Sequence, residues 1–156
     1  MMRPGVRLGV DVGTVRIGVA RSDLHGMLST PVSTVRRGDG DLVELARIAA
    51  ELDVIEFVAG LPLSLSGENT ASTDDALEFA RRLAASAGIP VRLVDERLTT
   101  VSAQRILRES GRDTRASRPV VDQVAATIIL QHALDVERSS GTPPGELIVP
   151  DEGLSP

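Results

Sequence analysis

Apolar and polar positions along this chain alternate between a period of two and a helical period, and the switches mark out its elements. Val6 to Val12 and Arg16 to Arg21 are short β-branched runs bounded by glycine, the two strands of a hairpin closed by Gly13-Thr14-Val15-Arg16. After the turn-rich Ser22 to Gly26, Met27 to Val35 returns as a third strand, with Pro31 best tolerated on an edge. From Asp41, a candidate N-cap, to about Leu52 the spacing turns helical, placing Leu42, Leu45, Ile48, Ala49 and Leu52 on one face. Val54 to Ala59 is again a strand, and Gly60 to Asn69 predicts an exposed loop at its carboxyl end. A helix from about Ser72 to Ala87 turns Ala76, Ala80, Leu83, Ala84 and Ala87 inward and stops at Gly88, after which Val91 to Asp95 forms a strand.

The remainder reads as helices and a tail. Thr99 and Thr100 suit the start of a helix that buries Ala103, Ile106 and Leu107 and ends at Gly111, followed by a basic loop from Arg112 to Pro119. The last helix begins near Asp122 and buries Ala125, Ile128, Ile129, Ala133 and Val136. From Ser139 the run Ser-Ser-Gly-Thr-Pro-Pro-Gly has linker composition, so residues 139–156 are expected to be a flexible tail on one domain of residues 1–138. The order βββαβαβα, with a final helix added, predicts the α/β class: a five-stranded mixed sheet flanked by helices.

Composition narrows the function classes. Aromatic residues are 1% of the chain, so Phe57 and Phe79 are the only rings in a core of Val, Leu, Ile and Ala, and a base-stacking platform is not expected. The net charge of −5 argues against a protein that coats nucleic acid. The distribution changes that picture: all 17 basic residues are arginine, and Arg105, Arg108, Arg112, Arg115 and Arg118 share a short stretch with only Glu109 and Asp113 as acids. Without cysteine there is no disulfide, thiol nucleophile or Cys-ligated zinc. No apolar run reaches membrane length and no signal peptide is visible, so a cytoplasmic enzyme or binding protein, without a membrane partner, is expected.

Three carboxylates carry the candidate chemistry. Asp11 ends an apolar strand, where an ionised group is costly unless it is paired, hydrogen-bonded or bound to a cation. Glu96 follows the strand ending at Asp95, and Asp122 has the helical spacing of the buried stripe through Ala125 and Ile129. Ligand sites in open α/β sheets lie beyond the carboxyl ends of strands, where these acids are placed to meet. Converging acids repel unless cations neutralise them, and an all-oxygen donor set suits Mg²⁺ or Mn²⁺. Two such ions about 4 Å apart activate water and stabilise the leaving oxygen of a phosphodiester. The alternatives are an Asx-type turn at Asp11, a helix-dipole role for Asp122 and an ion pair between Glu96 and Arg97. His132 reads as a packing residue and His25 as part of a turn.

Asp11-Val12-Gly13-Thr14, Arg16-Ile17-Gly18-Val19-Ala20, Ser22-Asp23, Gly60-Leu61-Pro62-Leu63, Asp95 to Thr100, Val121 to Ala126 and Ile128 to Gln131 together resemble the YqgF (RuvX) family from about Arg7 to Leu134. The resemblance implies an RNase H-like fold, with Asp11, Glu96 and Asp122 as catalytic, metal-binding acids. It implies a Mg²⁺- or Mn²⁺-dependent nuclease that matures the 5′ end of pre-16S rRNA or, alternatively, resolves four-way DNA junctions. Val15 stands where the family usually has a basic residue, and Ser64-Leu65-Ser66-Gly67 replaces a common Asn-Met-Asp-Gly. Arg16, Arg97, Arg105, Arg108, Arg112, Arg115 and Arg118 are expected to hold the phosphates of the nucleic-acid partner. The rivals are a catalytically silent RNA-binding assembly factor and an ATPase of the actin, Hsp70 and sugar-kinase type, which needs two such domains. The helices offer no evident dimer seam, so a monomer or weak homodimer is expected.

Overall fold

The computed structural model describes residues 2–99 and 118–150, with backbone only for residues 118–120. The opening hairpin forms as its pattern predicts: β1 (Val6–Val12) pairs antiparallel with β2 (Arg16–Ser22), and β2 with β3 (Ser29–Arg36). Next come α1 (Asp41–Glu51), β4 (Val54–Leu61), α2 (Ala71–Ala87), β5 (Val91–Asp95), a 3-10 turn (Glu96–Leu98), α3 (Arg118–Ser140) and β6 (Glu146–Ile148). The sheet runs β3-β2-β1-β4-β5-β6, with β4 parallel to β1 and β5, and β6 antiparallel to β5.

Strand alternation divides the core between the two faces of the sheet. Leu8, Val10, Ile17, Val19, Phe57, Ala59, Val91 and Leu93 point toward α1 and α2 and meet Leu45, Ile48, Phe79 and Leu83 there. On the opposite face Ala20, Val58 and Val94 meet Ala125, Ala126, Ile129, Leu130, Ala133 and Leu134 of α3. This second face is built from small residues so that α3 lies close to the strands. A Cβ on Gly9 would stand 2.7 Å from the Leu130 Cβ, and one on Gly18 1.9 Å from the Asp122 carbonyl oxygen. Glycine within a strand marks close approach of another backbone, and it does so here.

Several boundaries differ from the sequence reading, each for a local reason. β4 runs two residues past Ala59, because Gly60 and Leu61 continue the ladder with Val94 and Asp95. Asp41 opens α1 rather than capping it: Gly40, at φ 89°, is the cap, and the Asp41 carboxylate accepts from the amides of Gly38 and Leu42. α2 begins with a capping box between Thr70 and Thr73. α3 starts at Arg118, so Arg118 and Pro119 belong to a first helical turn, where proline is tolerated, and not to a loop. Its buried stripe includes Ala126, Leu130 and Leu134, while Ile128 and Val136 are half-buried. The expected tail is structured through Pro150: α3 reaches Ser140, and β6 extends the sheet to six strands, with Ile148 buried in the core. The helix expected to end at Gly111, and the loop from Arg112 to residue 117, lie outside the described residues.

Candidate active site

The three acids come from three elements and face the same side of the sheet. Asp11 shares its alternation with Gly9 on the α3 side of β1, and its cross-strand partner is Gly18 of β2. On its other flank, the parallel register that pairs Val10 with Ala59 sets Asp11 beside Gly60 of β4. Each glycine admits one of the remaining acids. The missing side chain of Gly18 makes room for the backbone of Asp122, and a Cβ on Gly60 would meet the Glu96 Oε2 at 3.0 Å and the Ile129 Cδ1 at 2.7 Å. Asp11, Glu96 and Asp122 are all buried, at 1–2% exposure, although every one is a carboxylate.

Local hydrogen bonding fixes their backbones. The 3-10 turn after β5 is capped by Asp95, whose side chain accepts from the Arg97 amide at 2.9 Å. The Thr99 hydroxyl and amide both donate to the Glu96 carbonyl. This turn sends Glu96 inward and Arg97 outward, so the alternative of a Glu96–Arg97 pair is not what the structure shows. Arg97 instead grips Asp95 through Nε and Nη2, and that hydrogen bonding holds the Asp95 carboxyl below its ordinary pKa. At Asp11 the turn is closed by the Gly13 amide donating to the Arg16 carbonyl, which is the Gly13 amide an Asx-type role would have used. Asp122 sits one turn into α3, where the Arg16 Nε donates to its Oδ2 at 2.9 Å.

Two groups of residues, one at each end of the α3 face, give no signal in the hydrophobic pattern. Arg37, just past β3, donates to the Gly13 carbonyl at 2.8 Å, forms a two-pronged pair with Asp75 of α2 and lies 4.9 Å from the centre of the Phe79 ring. It ties the turn after Asp11 to α2. At the opposite end of the α3 face, Arg3, Arg7, Glu56, Arg92 and Glu137 form one ionic network. Arg7, Glu56 and Arg92 alternate with apolar neighbours and so resemble solvent-facing strand positions, but all three are buried.

Of the arginines expected to bind phosphate, Arg16 and Arg97 lie at the acid end, each engaged with a carboxylate. Arg105, Arg108, Arg112 and Arg115 lie outside the described residues, as does the side chain of Arg118. His132 is half-buried on α3 and His25 is exposed in its turn. Among the described residues, no group of three or more acidic or histidine side chains already stands at metal-holding distance. The donor chemistry nevertheless fits a hard cation. Three buried carboxylates set against glycine notches are the all-oxygen donor set that a hard cation takes.

Comparison with known proteins bears on the fold and the family. RuvC of Thermus thermophilus, solved in complex with a Holliday junction substrate, shares the fold with a TM-score of 0.56 at 16% identity, over 91% of this chain and 99% of that one. A Clavibacter michiganensis protein named "Putative pre-16S rRNA nuclease" is 62% identical over 150 residues, covering 94% of this chain and 93% of the relative. One of the same name from Leifsonia xyli is 61% identical over 154 residues, covering 97% and 99%. The fold is thus the mixed α/β architecture that this chain shares with RuvC. Within that architecture the chain belongs to the RuvX family, described as Holliday junction resolvase, whose profile matches residues 5–136.

Proposed function

We propose that this chain is a divalent-metal-dependent nuclease that trims the 5′ end of pre-16S rRNA in the cytoplasm. The observation that carries the reading is the burial of Asp11, Glu96 and Asp122 around the Gly18 and Gly60 notches, on the side of the sheet covered by α3. These three side chains would hold Mg²⁺ or Mn²⁺. The metal supplies neutralisation of the acids, an activated water and a counter-charge for the leaving oxygen. The chain's own residues do the positioning. The 3-10 turn fixes Glu96, the sheet fixes Asp11, and α3 brings Asp122 against β2. Arginine at the rim attracts a phosphate backbone that the acids alone would repel. The choice of RNA follows the names of the relatives over 93–99% of their length.

A second reading, cleavage of four-way DNA junctions, is favoured by the family description and by the RuvC likeness. The test is Mn²⁺-dependent cleavage of a precursor 16S leader and of a four-way junction, by the wild-type chain and by Asp11→Asn. We expect the leader to be cut faster, and Asp11→Asn to lose at least about a hundred-fold in rate while still binding RNA, the scale of a lost electrostatic group at a reacting centre. Preferential cutting of the junction would transfer the assignment to the second reading. Undiminished cleavage by Asp11→Asn would remove the acids from the chemistry.

A further inference from the structure

Arg16 pairs with a buried acid of the site while remaining a quarter exposed itself, which gives its guanidinium a route to solvent that Asp122 lacks. Contact is made through Nε alone, and Nη1 and Nη2 find no partner among the described residues. A guanidinium held in this way keeps its planar fork available for the two-pronged recognition of a phosphate. The placement is built into the backbone: Arg16 is the first residue of β2 and closes the Gly13 turn, and Gly18, two positions on, lets Asp122 approach the strand.

We propose that Arg16 is an exchangeable counter-charge that couples metal loading to nucleic-acid binding. Without metal or substrate, Arg16 neutralises Asp122. A divalent cation and the guanidinium compete for the same carboxylate, so Arg16 weakens metal binding in the absence of nucleic acid. A phosphate at the rim draws Arg16 away, and the Asp122 Oδ2 that its Nε held is released to the metal. Because coupling between two ligands is reciprocal, metal tightens nucleic-acid binding by the same factor that nucleic acid tightens metal binding. The device disfavours a fully charged metal site with no substrate present. It rests on the reading of Asp122 as a metal ligand.

The test measures Mn²⁺ affinity of the full chain by electron paramagnetic resonance, alone and with a short 2′-O-methyl phosphorothioate RNA strand that resists cleavage. In the wild type the strand should tighten Mn²⁺ binding about five-fold or more, the lower end of ordinary coupling. Arg16→Gln should bind Mn²⁺ more tightly than wild type without the strand and gain nothing from adding it. Arg16→Lys keeps a competing charge but lacks the fork, so its Mn²⁺ affinity should stay near wild type while the coupling disappears. Equal Mn²⁺ affinity in wild type and Arg16→Gln overturns the proposal, as does coupling that survives either substitution. If Arg16→Gln fails to fold, the Lys variant decides by its coupling alone. Mn²⁺ binding that is indifferent to Asp122→Asn refutes the metal-ligand reading instead, which separates the two failures.

Discussion

Gly18 and Gly60 set how closely α3 and Glu96 approach the strands, and the two make different demands. At Gly18 a methyl would fall 1.9 Å from the Asp122 carbonyl oxygen and 2.3 Å from its carbon, so the backbone of α3 must move. At Gly60 the nearest atoms are the ends of the Ile129 and Glu96 side chains, which can turn aside. We therefore expect Gly18→Ala to lose about 3 kcal/mol or more of stability and Gly60→Ala about 1 kcal/mol. Cleavage by Gly60→Ala should nevertheless fall well beyond its stability loss, because the Glu96 carboxylate is one of the groups displaced. Urea unfolding alongside cleavage rates would check both, and equal stability losses would count against the close approach of α3. Neither close approach is legible in the sequence: Gly60 reads as the start of a loop and Gly18 as one more strand residue, because the pattern records which face a residue takes and not what approaches it. Asp11 stands out there because an acid at the end of an apolar strand demands a partner, and Glu96 and Asp122 because strand ends and helix faces can be read from periodicity. Arg37 is hidden, since its partners Gly13 and Asp75 are distant in sequence and follow no period.

At the scale of elements, α3 is held at both ends by charge. Asp122 meets Arg16 near its start, and roughly 22 Å along, at about 1.5 Å per residue, Glu137 meets Arg3 and Arg7. The sequence showed the apolar stripe between these ends, though displaced, and showed nothing of the Glu137 network, because its members are scattered over four elements and the amino-terminal lead-in. Burial pulls the Glu137 carboxyl upward, and the hydrogen bonds from Arg3 with the charge of Arg7 outweigh it, leaving a pKa of about 2 against an ordinary 4.5. A carboxyl whose folded pKa is lowered adds stability above its unfolded pKa and loses it as the pH falls through the folded value. The contribution of Glu137 is thus complete above pH ~4.5 and fades toward pH ~2. Glu137→Gln leaves Arg7, 1% exposed, without its carboxylate, and should cost about 3 kcal/mol at neutral pH. It should also flatten the decline in stability between pH 4.5 and 2. Thermal unfolding across that range would show it, and a variant that declines as steeply as wild type would exclude Glu137 as the titrating group.

For the whole molecule, what matters is how many acid sites face one substrate. The chain closes its sheet unequally at the two edges. Beyond β5, the stretch whose linker composition suggested a tail returns as three residues of β6. Arg92 anchors it through the Pro144 carbonyl, and Gly145 sits where a Cβ would meet the Leu93 carbonyl oxygen at 1.9 Å. A strand that short carries too little pattern to be recognised before its partner is known. The other edge, β3, is longer and has the exposed side chains of Leu24, Met27, Leu28 and Val32 at or near it, the natural place for a second copy to seat. Two features oppose strand addition there: Pro31, which has no amide to donate, and the register shift where Ala20 of β2 pairs with Pro31. Two symmetric cuts in a junction need two acid sites on one substrate, whereas trimming one RNA end needs a single site. We expect a monomer at micromolar concentration by sedimentation velocity, and on a four-way junction single nicks that accumulate independently. A stable dimer that releases paired cuts without a nicked intermediate would instead make β3 the interface to examine and the junction the substrate to prefer.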